Sequence, residues 1–236
     1  MKRRYVKIPN NIMTYKLKPV AFRVIVTLYS EFFMTDEFVI KHDTIAQKCG
    51  ISVSSVKRAI NELVKAELIE KQSRYDFFSR KRLCSKYKFK RLSGNYFTID
   101  RGVLDITEDN YQLMVYCAIK SCANKSERAF PSISKLENIT GFSEATIIKH
   151  TNALMKCGLL YKCNYISQAG DYGNNNYTVW NMNVRVIIMW ILSRFVNVRN
   201  EGYIYLSFVF DIIVSFENFL ISRNCIVYLV QILDDS

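Results

Sequence analysis

Histidine is scarce in this chain, with only His42 and His150 among 236 residues. Seven cysteines occur without a C-x-x-C pair, so the ligand spacing of a zinc site is missing. An odd number of cysteines also argues against a complete disulfide framework, and we expect reduced thiols in a cytoplasmic protein. The sequence therefore favours a protein that holds neither a metal nor another cofactor.

Glycine and proline are also few, at eight and three residues, and no G-x-x-x-x-G-K-[ST] loop is present to hold nucleotide phosphates. The acidic residues are dispersed, which argues against a two-metal nuclease. The two histidines are far apart, unlike the closely spaced pair of a rolling-circle nickase. The basic N-terminus lacks the apolar segment of a secretory signal. We expect a protein that is not an enzyme.

Positive charge is in clear excess, with 33 lysines and arginines against 21 acidic residues, a formal net charge of +12. Such an excess is typical of proteins that bind a polyanion, and an acidic membrane surface is the competing explanation. Residues 183–236 contain four arginines, five acids and no lysine, a charge of −1, which leaves +13 on residues 1–182. The polyanion is therefore expected to bind residues 1–182.

The segment from His42 to Lys71 has the pattern of two short helices joined by a sharp turn. Asp43 is placed to cap a helix over Thr44–Cys49, Gly50 suits the turn, and Ser52 is placed to cap the next helix. The second helix has apolar residues at spacings of three and four, namely Val56, Ile60, Leu63 and Val64. Together with the small Ala46 at the helix crossing, this spacing predicts a helix-turn-helix.

The solvent side of the second helix is polar and basic, which suits contacts with phosphates and base edges. Its candidate DNA-binding residues are Ser52, Ser54, Ser55, Lys57, Arg58 and Asn61. The competing interpretation is the solvated face of an ordinary helical hairpin. Strand-like runs begin at Leu68 and over Lys86–Lys90, and they flank a basic tip at Arg80, Lys81 and Arg82. The combination predicts a winged helix, with the second helix in the major groove and the wing on the flanking backbone or minor groove.

The chain also repeats itself at a shift of 91 residues. Matching pairs include Tyr5 and Tyr96, Ile8 and Ile99, Gly50 and Gly141, Ser52 and Ser143, Asn61 and Asn152, and Leu68 and Leu159. The matches concentrate where a helix-turn-helix demands particular residues, which favours two copies of one unit. Residues 91–95 are too short for a free linker, so we expect the two copies to pack together.

The second copy carries its own candidate DNA-binding residues, Ser143, Thr146, Lys149 and Asn152. We expect a helix from Glu108 to Cys122, a helix cap at Ser134 and a core that includes Met155. A flexible wing tip over Ser167–Asn176 and a return strand over Tyr177–Trp180 should follow. Glu137 stands where the first copy has Ala46, and Ile148 stands where it has Lys57. The second helix of the second helix-turn-helix, which begins at Ser143, therefore either binds DNA more weakly than its counterpart or contacts a protein.

The predicted fold class is α+β, mainly α, with two tandem winged helix-turn-helix domains and an apolar C-terminal segment. The domains are repeat one (residues 1–92), repeat two (residues 96–182) and the tail (residues 183–236). The tail is rich in Phe, Tyr, Ile and Val, which suits packing or self-association. An altered or out-of-frame terminus and a membrane segment are the alternatives. Asp211 lies near the centre of the apolar run Tyr203–Ile221, and an acidic side chain in the middle of a bilayer costs about 3 kcal/mol.

Two stretches resemble a known family, namely KIPNNIM…KLKPVAFRVIVTLYS and TIAQKCGISVSSVKRAINELVKAELIEK. They look like the helix-turn-helix domains of plasmid and phage replication proteins of low-GC bacteria. The tandem arrangement is similar to that of plasmid replication initiators and of phage replisome organisers. The resemblance covers about residues 1–180 and implies a protein that binds repeated origin sites on double-stranded DNA, helps to distort them and recruits host helicase or primase.

Many transcription regulators share the same motif, so a second hypothesis is a winged-helix transcriptional regulator whose tail dimerises it or holds an effector. A homodimer through the tail is compatible with both hypotheses. Directly repeated sites near the gene favour the initiator, and a short palindrome at a promoter favours the regulator. A membrane-anchored regulator would sediment with membranes.

Overall fold

The computed structural model describes residues 4–33, 35, 37–78, 81–90, 94–166 and 172–179. The sequence predictions for Arg80, for residues 167–171 of the expected wing tip, for Trp180 and for the tail lie outside these residues, and so does the Arg82 side chain. All described residues belong to one compact unit, Met1–Arg185. Helices and strands both contribute to it, in agreement with a mixed α and β fold.

In the first copy, strand β1 (Tyr5–Pro9) and a 3-10 turn (Asn10–Tyr15) precede helix α1 (Pro19–Phe32), strand β2 (Glu37–Val39), helices α2 (His42–Cys49) and α3 (Val53–Lys65), and strands β3 (Ile69–Tyr75) and β4 (Arg82–Phe89). The second copy contains β5 (Tyr96–Asp100), α4 (Val103–Ile106), α5 (Asn110–Ser121), β6 (Arg128–Ala129), α6 (Ile133–Thr140), α7 (Glu144–Lys156), β7 (Leu160–Ile166) and β8 (Tyr172–Val179). Each copy ends in an antiparallel sheet of three strands, in the orders β2-β4-β3 and β6-β8-β7.

The element boundaries follow the repeat in the sequence. Helices α2 and α3 and strand β3 begin and end 91 residues before α6, α7 and β7, respectively. Strands β1 and β5 are related by the same shift. The internal repeat in the sequence is therefore also a repeat of secondary structure.

The two copies are joined around a local two-fold axis. Strands β1 and β5 pair antiparallel, and the central pair is Lys7 with Thr98, which are counterparts at the 91-residue shift. Two flanking backbone bonds are equivalent under the same relation: Arg101 N donates to Arg4 O at 2.8 Å, and Asn10 N donates to Asn95 O at 2.9 Å. Helix α1 also packs against its counterpart α5. One chain thus has the internal symmetry of a dimer.

A continuous apolar core covers both copies. It includes Val6 and Ile8 of β1, Phe97 and Ile99 of β5, and most of α1 and α5. The buried faces of β1 and β5 follow the alternation that a two-sided strand requires. Burial of these side chains from both copies at once stabilises their pairing.

Two arginines add connections that do not obey the two-fold symmetry. Arg23 of α1 is buried and donates to the carbonyl oxygens of Leu104 at 2.8 Å and Thr107 at 3.2 Å. Arg101 donates to the Ser30 carbonyl at 2.9 Å and pairs with the Glu31 carboxylate. These contacts could not be predicted from the sequence, because each joins residues at least 70 positions apart.

The caps of two helices differ from the sequence prediction. Helix α2 begins at His42, so Asp43 lies inside the first turn and Lys41 is the cap residue, without a side-chain bond. The Asp43 charge lies near the positive end of the helix dipole instead. Helix α6 is capped by Ser132, whose Oγ accepts from Lys135 N at 3.2 Å, and Ser134 lies within the helix.

Two element boundaries in the second copy also differ from the prediction. Helix α5 begins at Asn110 rather than Glu108, because Asp109 is its N-cap residue. Asp109 has an extended backbone, and its Oδ1 accepts from Gln112 N at 2.6 Å. Strand β8 begins at Tyr172, so part of the expected wing tip belongs to the strand. Its asparagines take part in a backbone ladder with β7, which does not require β-branched side chains.

Candidate nucleic-acid interface

The turn between α2 and α3 depends on Gly50. Its φ is +65°, and its N–H donates to Ala46 O in the last turn of α2. A Cβ at this position would meet no other atom, so the requirement for glycine comes from the backbone conformation rather than from space. Ser52 then caps α3, since its Oγ accepts from Ser55 N at 3.2 Å. The turn and the cap predicted from the sequence are both confirmed.

Helix α3 is held from one side by apolar packing against α1 and α2. Val56, Ile60 and Leu63 are fully buried as predicted, and Ala59 joins them. Val64 shares the predicted apolar spacing but is 37% exposed, so the buried stripe is narrower than the sequence spacing suggests. Glu62 Oε1 accepts from Lys18 N at 2.7 Å, which fixes the start of α1 against α3.

The opposite side of α3 carries the predicted reading residues on one surface. Ser52, Ser54, Lys57, Arg58 and Asn61 are exposed, and Ser55 is half-buried. The Ser52 hydroxyl lies 2.9 Å from the hydroxyls of both Ser54 and Ser55. Arg58 Nη2 donates to Ser55 Oγ at 3.5 Å. These contacts gather three hydroxyl groups and one guanidinium at the N-terminal end of the helix.

The hairpin β3–β4 follows α3 after a short turn. Its strands pair from Ile69 with Phe89 to Tyr75 with Arg82, with an irregularity between Gln72 and Arg74. Tyr87 of β4 is buried. At the tip, Asp76 N donates to Lys81 O at 2.9 Å, and Lys81 is exposed. Of the three residues predicted for the basic tip, Lys81 is exposed in the loop, Arg82 begins strand β4 and Arg80 lies outside the described residues.

The tip also carries two residues that the sequence reasoning missed. Phe77 and Phe78 are 88% and 94% exposed, with ring centroids 5.5 Å apart at 90°. Polar residues are usual at a hairpin tip. Two adjacent phenylalanines in the segment before the basic residues were therefore the sequence signal that could have identified them.

Helix α7 has a similar exposed surface with one apolar side chain in it. Ser143, Lys149 and Asn152 are exposed and Thr146 is half-buried, as the positions of their counterparts require. Ser143 Oγ lies 3.0 Å from Thr146 Oγ1 and makes no cap bond to the backbone. Ile148 is 41% exposed at the position of Lys57. Met155, which was expected in the core, is partly buried at its edge.

His150 is turned inward on the same helix. It is 6% exposed, its Nδ1 lies 3.5 Å from Asp109 Oδ2, and its ring stacks on Tyr111. Such contacts secure α7 to the start of α5. Its environment is that of a packing residue, and the described residues contain no group of three side chains able to hold a metal ion.

Cys49 and Cys117 are buried in the apolar core. Burial raises the pKa of the Cys49 thiol, which donates to Thr27 Oγ1 at 3.3 Å. Burial also raises the pKa of the Cys117 thiol on α5. Because a thiolate is the reactive form, neither side chain is prepared for nucleophilic chemistry.

Sequence comparison agrees with this geometry. A helix-turn-helix domain family matches residues 15–69 and, separately, residues 110–160. Both copies are similar to helix-turn-helix domains. The matched segments contain α3 and α7, and two such domains support DNA binding. No curated protein matches the chain. None of the described helices has the length and apolar character needed to cross a membrane.

Proposed function

We propose that this protein binds specific sites on double-stranded DNA and acts in replication, as an initiator or replisome organiser of a plasmid or phage. The observation that supports DNA binding is the exposed strip of hydroxyl, amide and basic groups on α3, the second helix of a helix-turn-helix. In this proposal α3 enters the major groove, and the hairpin β3–β4 acts as a wing against the neighbouring backbone or minor groove.

The local two-fold axis supports a site with two half-sites in opposite orientation. Because β1 and β5 pair about this axis and α1 packs on α5, the helices α3 and α7 correspond to the two reading helices of a dimer. The two half-sites are expected to differ in sequence, since α7 has Lys149 at the position of Arg58, the residue of α3 suited to reading guanine. Each chain would then read one imperfect inverted repeat.

This arrangement changes the genomic test that separates the two hypotheses. An imperfect palindrome is expected for one bound chain whether the protein serves replication or transcription. An array of several such sites in the same direction favours the initiator, and one site at a promoter favours the regulator. The resemblance of residues 1–180 to replication proteins is what supports the initiator, with host helicase or primase as partners recruited in the cytoplasm.

The test is selection of bound sequences from random duplex DNA by the full-length protein, followed by footprinting. Duplexes with the selected half-sites inverted, directly repeated or single are then compared at one fixed salt concentration. We expect the inverted arrangement to bind most tightly. Equal affinity for inverted and direct arrangements would contradict reading by both helices, and no enrichment of any sequence would contradict specific DNA binding.

The replication role has its own test. A plasmid without an origin receives the DNA that carries the selected sites, together with the gene for the protein. We expect replication to depend on the protein and to be lost with Lys57→Ala/Arg58→Ala. Binding and promoter repression without replication would favour the transcriptional regulator instead.

A further inference from the structure

The hairpin tip between β3 and β4 exposes more aromatic surface than any other described part of the protein. Phe77 and Phe78 are 88% and 94% exposed, whereas the next most exposed large apolar side chain, Tyr75, is 64% exposed. Other phenylalanines, including Phe22, Phe38 and Phe97, are buried in the core. An exposed pair of phenyl rings lacks the stabilisation that burial supplies. Their exposure therefore points to a binding partner that covers them.

The backbone of the tip is held so that both rings project from it. Asp76 N donates to Lys81 O at 2.9 Å and closes the loop, and Asp76 Oδ1 accepts from Phe78 N at 3.0 Å. These two bonds employ the backbone and carboxylate of Asp76 within the turn. The rings lie edge to face, with centroids 5.5 Å apart, and make one compact projection.

The charge around the projection favours a polyanionic partner, and the two exposed rings favour one that also has flat apolar surfaces. Exposed Arg74 and Lys81 flank the two rings, and Arg80 and Arg82 are their neighbours in sequence. DNA offers this combination, because phosphates surround stacked bases. The hairpin follows α3 directly in the chain, and the proposed function places duplex DNA on α3.

We infer that Phe77 and Phe78 form an aromatic wedge that enters the minor groove of duplex DNA and unstacks one base step beside the half-site read by α3. A phenylalanine side chain inserted from the minor groove partially unstacks two neighbouring base pairs and bends the duplex toward the major groove. The counterpart positions in the second copy are Gln168 and Ala169, so the wedge belongs to one half-site alone. This inference rests on the proposed DNA binding and adds a local distortion of one side of the site.

The experiment uses the full-length protein and the selected duplex, with 2-aminopurine placed at successive base steps. This base analogue fluoresces more strongly when it is unstacked. We expect a several-fold rise at one step on the hairpin side of the α3 half-site. Phe77→Ala/Phe78→Ala should abolish the rise and reduce affinity about tenfold or less, since the variant also avoids the cost of unstacking. Phe77→Trp/Phe78→Trp should restore the signal.

Phe130→Ala is the matched control, because it removes a half-exposed ring from the second copy and should leave the signal intact. A rise that survives in the double alanine variant would overturn the wedge, as would wild-type binding without a rise at any step. Vesicles with anionic lipid are a further arm: loss of vesicle binding in the alanine variant, with an unchanged DNA signal, would assign the rings to a membrane surface. Failure of wild type to bind any duplex would instead refute the proposed function.

Discussion

Lys57 and Arg58 are adjacent on the sequence and exposed on α3, but they are expected to do different work. Lys57 carries a point charge suited to a phosphate, and Arg58 has the planar donor pair that matches guanine. Ser55 already orients the Arg58 guanidinium from one side. A reading role for Arg58 therefore predicts an effect on sequence preference as well as on affinity.

Replacement of both residues by alanine should weaken binding to the selected site, with about 1–3 kcal/mol lost for the base contact of Arg58. Single variants should separate the roles, since only Arg58→Ala should change the selected sequence. Titration of labelled duplexes measures both effects, and Lys65→Ala at the end of α3 is the matched control. A folded double variant with wild-type affinity and preference would remove α3 as the reading helix.

Arg23 is the residue whose loss should most directly loosen the two copies. Its guanidinium satisfies two carbonyl oxygens of the second copy, while its Nε has no partner among the described residues. Arg23→Met keeps the apolar stem but leaves both carbonyls unpaired, and we expect about 1–3 kcal/mol of stability to be lost.

Urea denaturation of Arg23→Met beside Arg74→Met measures this loss, since Arg74 is exposed on β3 and its replacement should change stability by about 0.5 kcal/mol or less. Equal stability of the two variants would show that the Arg23 contacts do not hold the copies together.

At the scale of elements, the helix-turn-helix was predictable because its constraints are local. Gly50 must adopt a left-handed conformation and Ser52 must cap α3, and both requirements act within a few residues. The start of α2 was misplaced because Asp43 is as favourable in a first turn as at a cap. The extent of β8 was missed because pairing with β7, rather than strand propensity, determines where it begins.

The basic residues of the hairpin β3–β4 are expected to contact phosphates. Neutralising Arg80, Lys81 and Arg82 with glutamine should lower affinity for all sequences about equally, because phosphate contacts carry no base information. The slope of log affinity against log salt should fall by about one for each lost contact. Affinity measured at several salt concentrations on specific and random duplexes tests this. A changed preference with an unchanged slope would mean that these residues read bases.

At the scale of the whole molecule, the tail is separable in charge from the rest of the chain. Residues 183–236 carry −1, and residues 1–182 carry +13. A chain that ends at Asn183 should therefore keep its DNA affinity for a single site. It should lose self-association, and on the initiator proposal it should fail to assemble on an array of sites.

Light scattering after size-exclusion chromatography, with full-length and shortened chains at matched concentrations, measures this difference. Binding to one site and to an array is compared in parallel. If the shortened chain is unfolded, the tail belongs to the core of the second copy, and a boundary at Asn183 is wrong.

The two helix-turn-helix segments, the 91-residue repeat and the basic surface could all be predicted from the sequence alone. Each of these depends on residue type and short-range spacing: a glycine that tolerates positive φ, a hydroxyl at a cap, and apolar residues three and four apart. The exposed positions of Lys57, Arg58, Lys149 and Asn152 follow from the same periodicity.

The way in which the two copies are joined is visible only in the folded structure. The antiparallel pairing of β1 with β5, the packing of α1 on α5 and the contacts of Arg23 and Arg101 all connect residues far apart in sequence. Either a parallel or a two-fold arrangement of the repeats is compatible with the same sequence pattern. The two-fold arrangement forms because antiparallel edge pairing satisfies the backbone of both strands while it buries both apolar faces in one core.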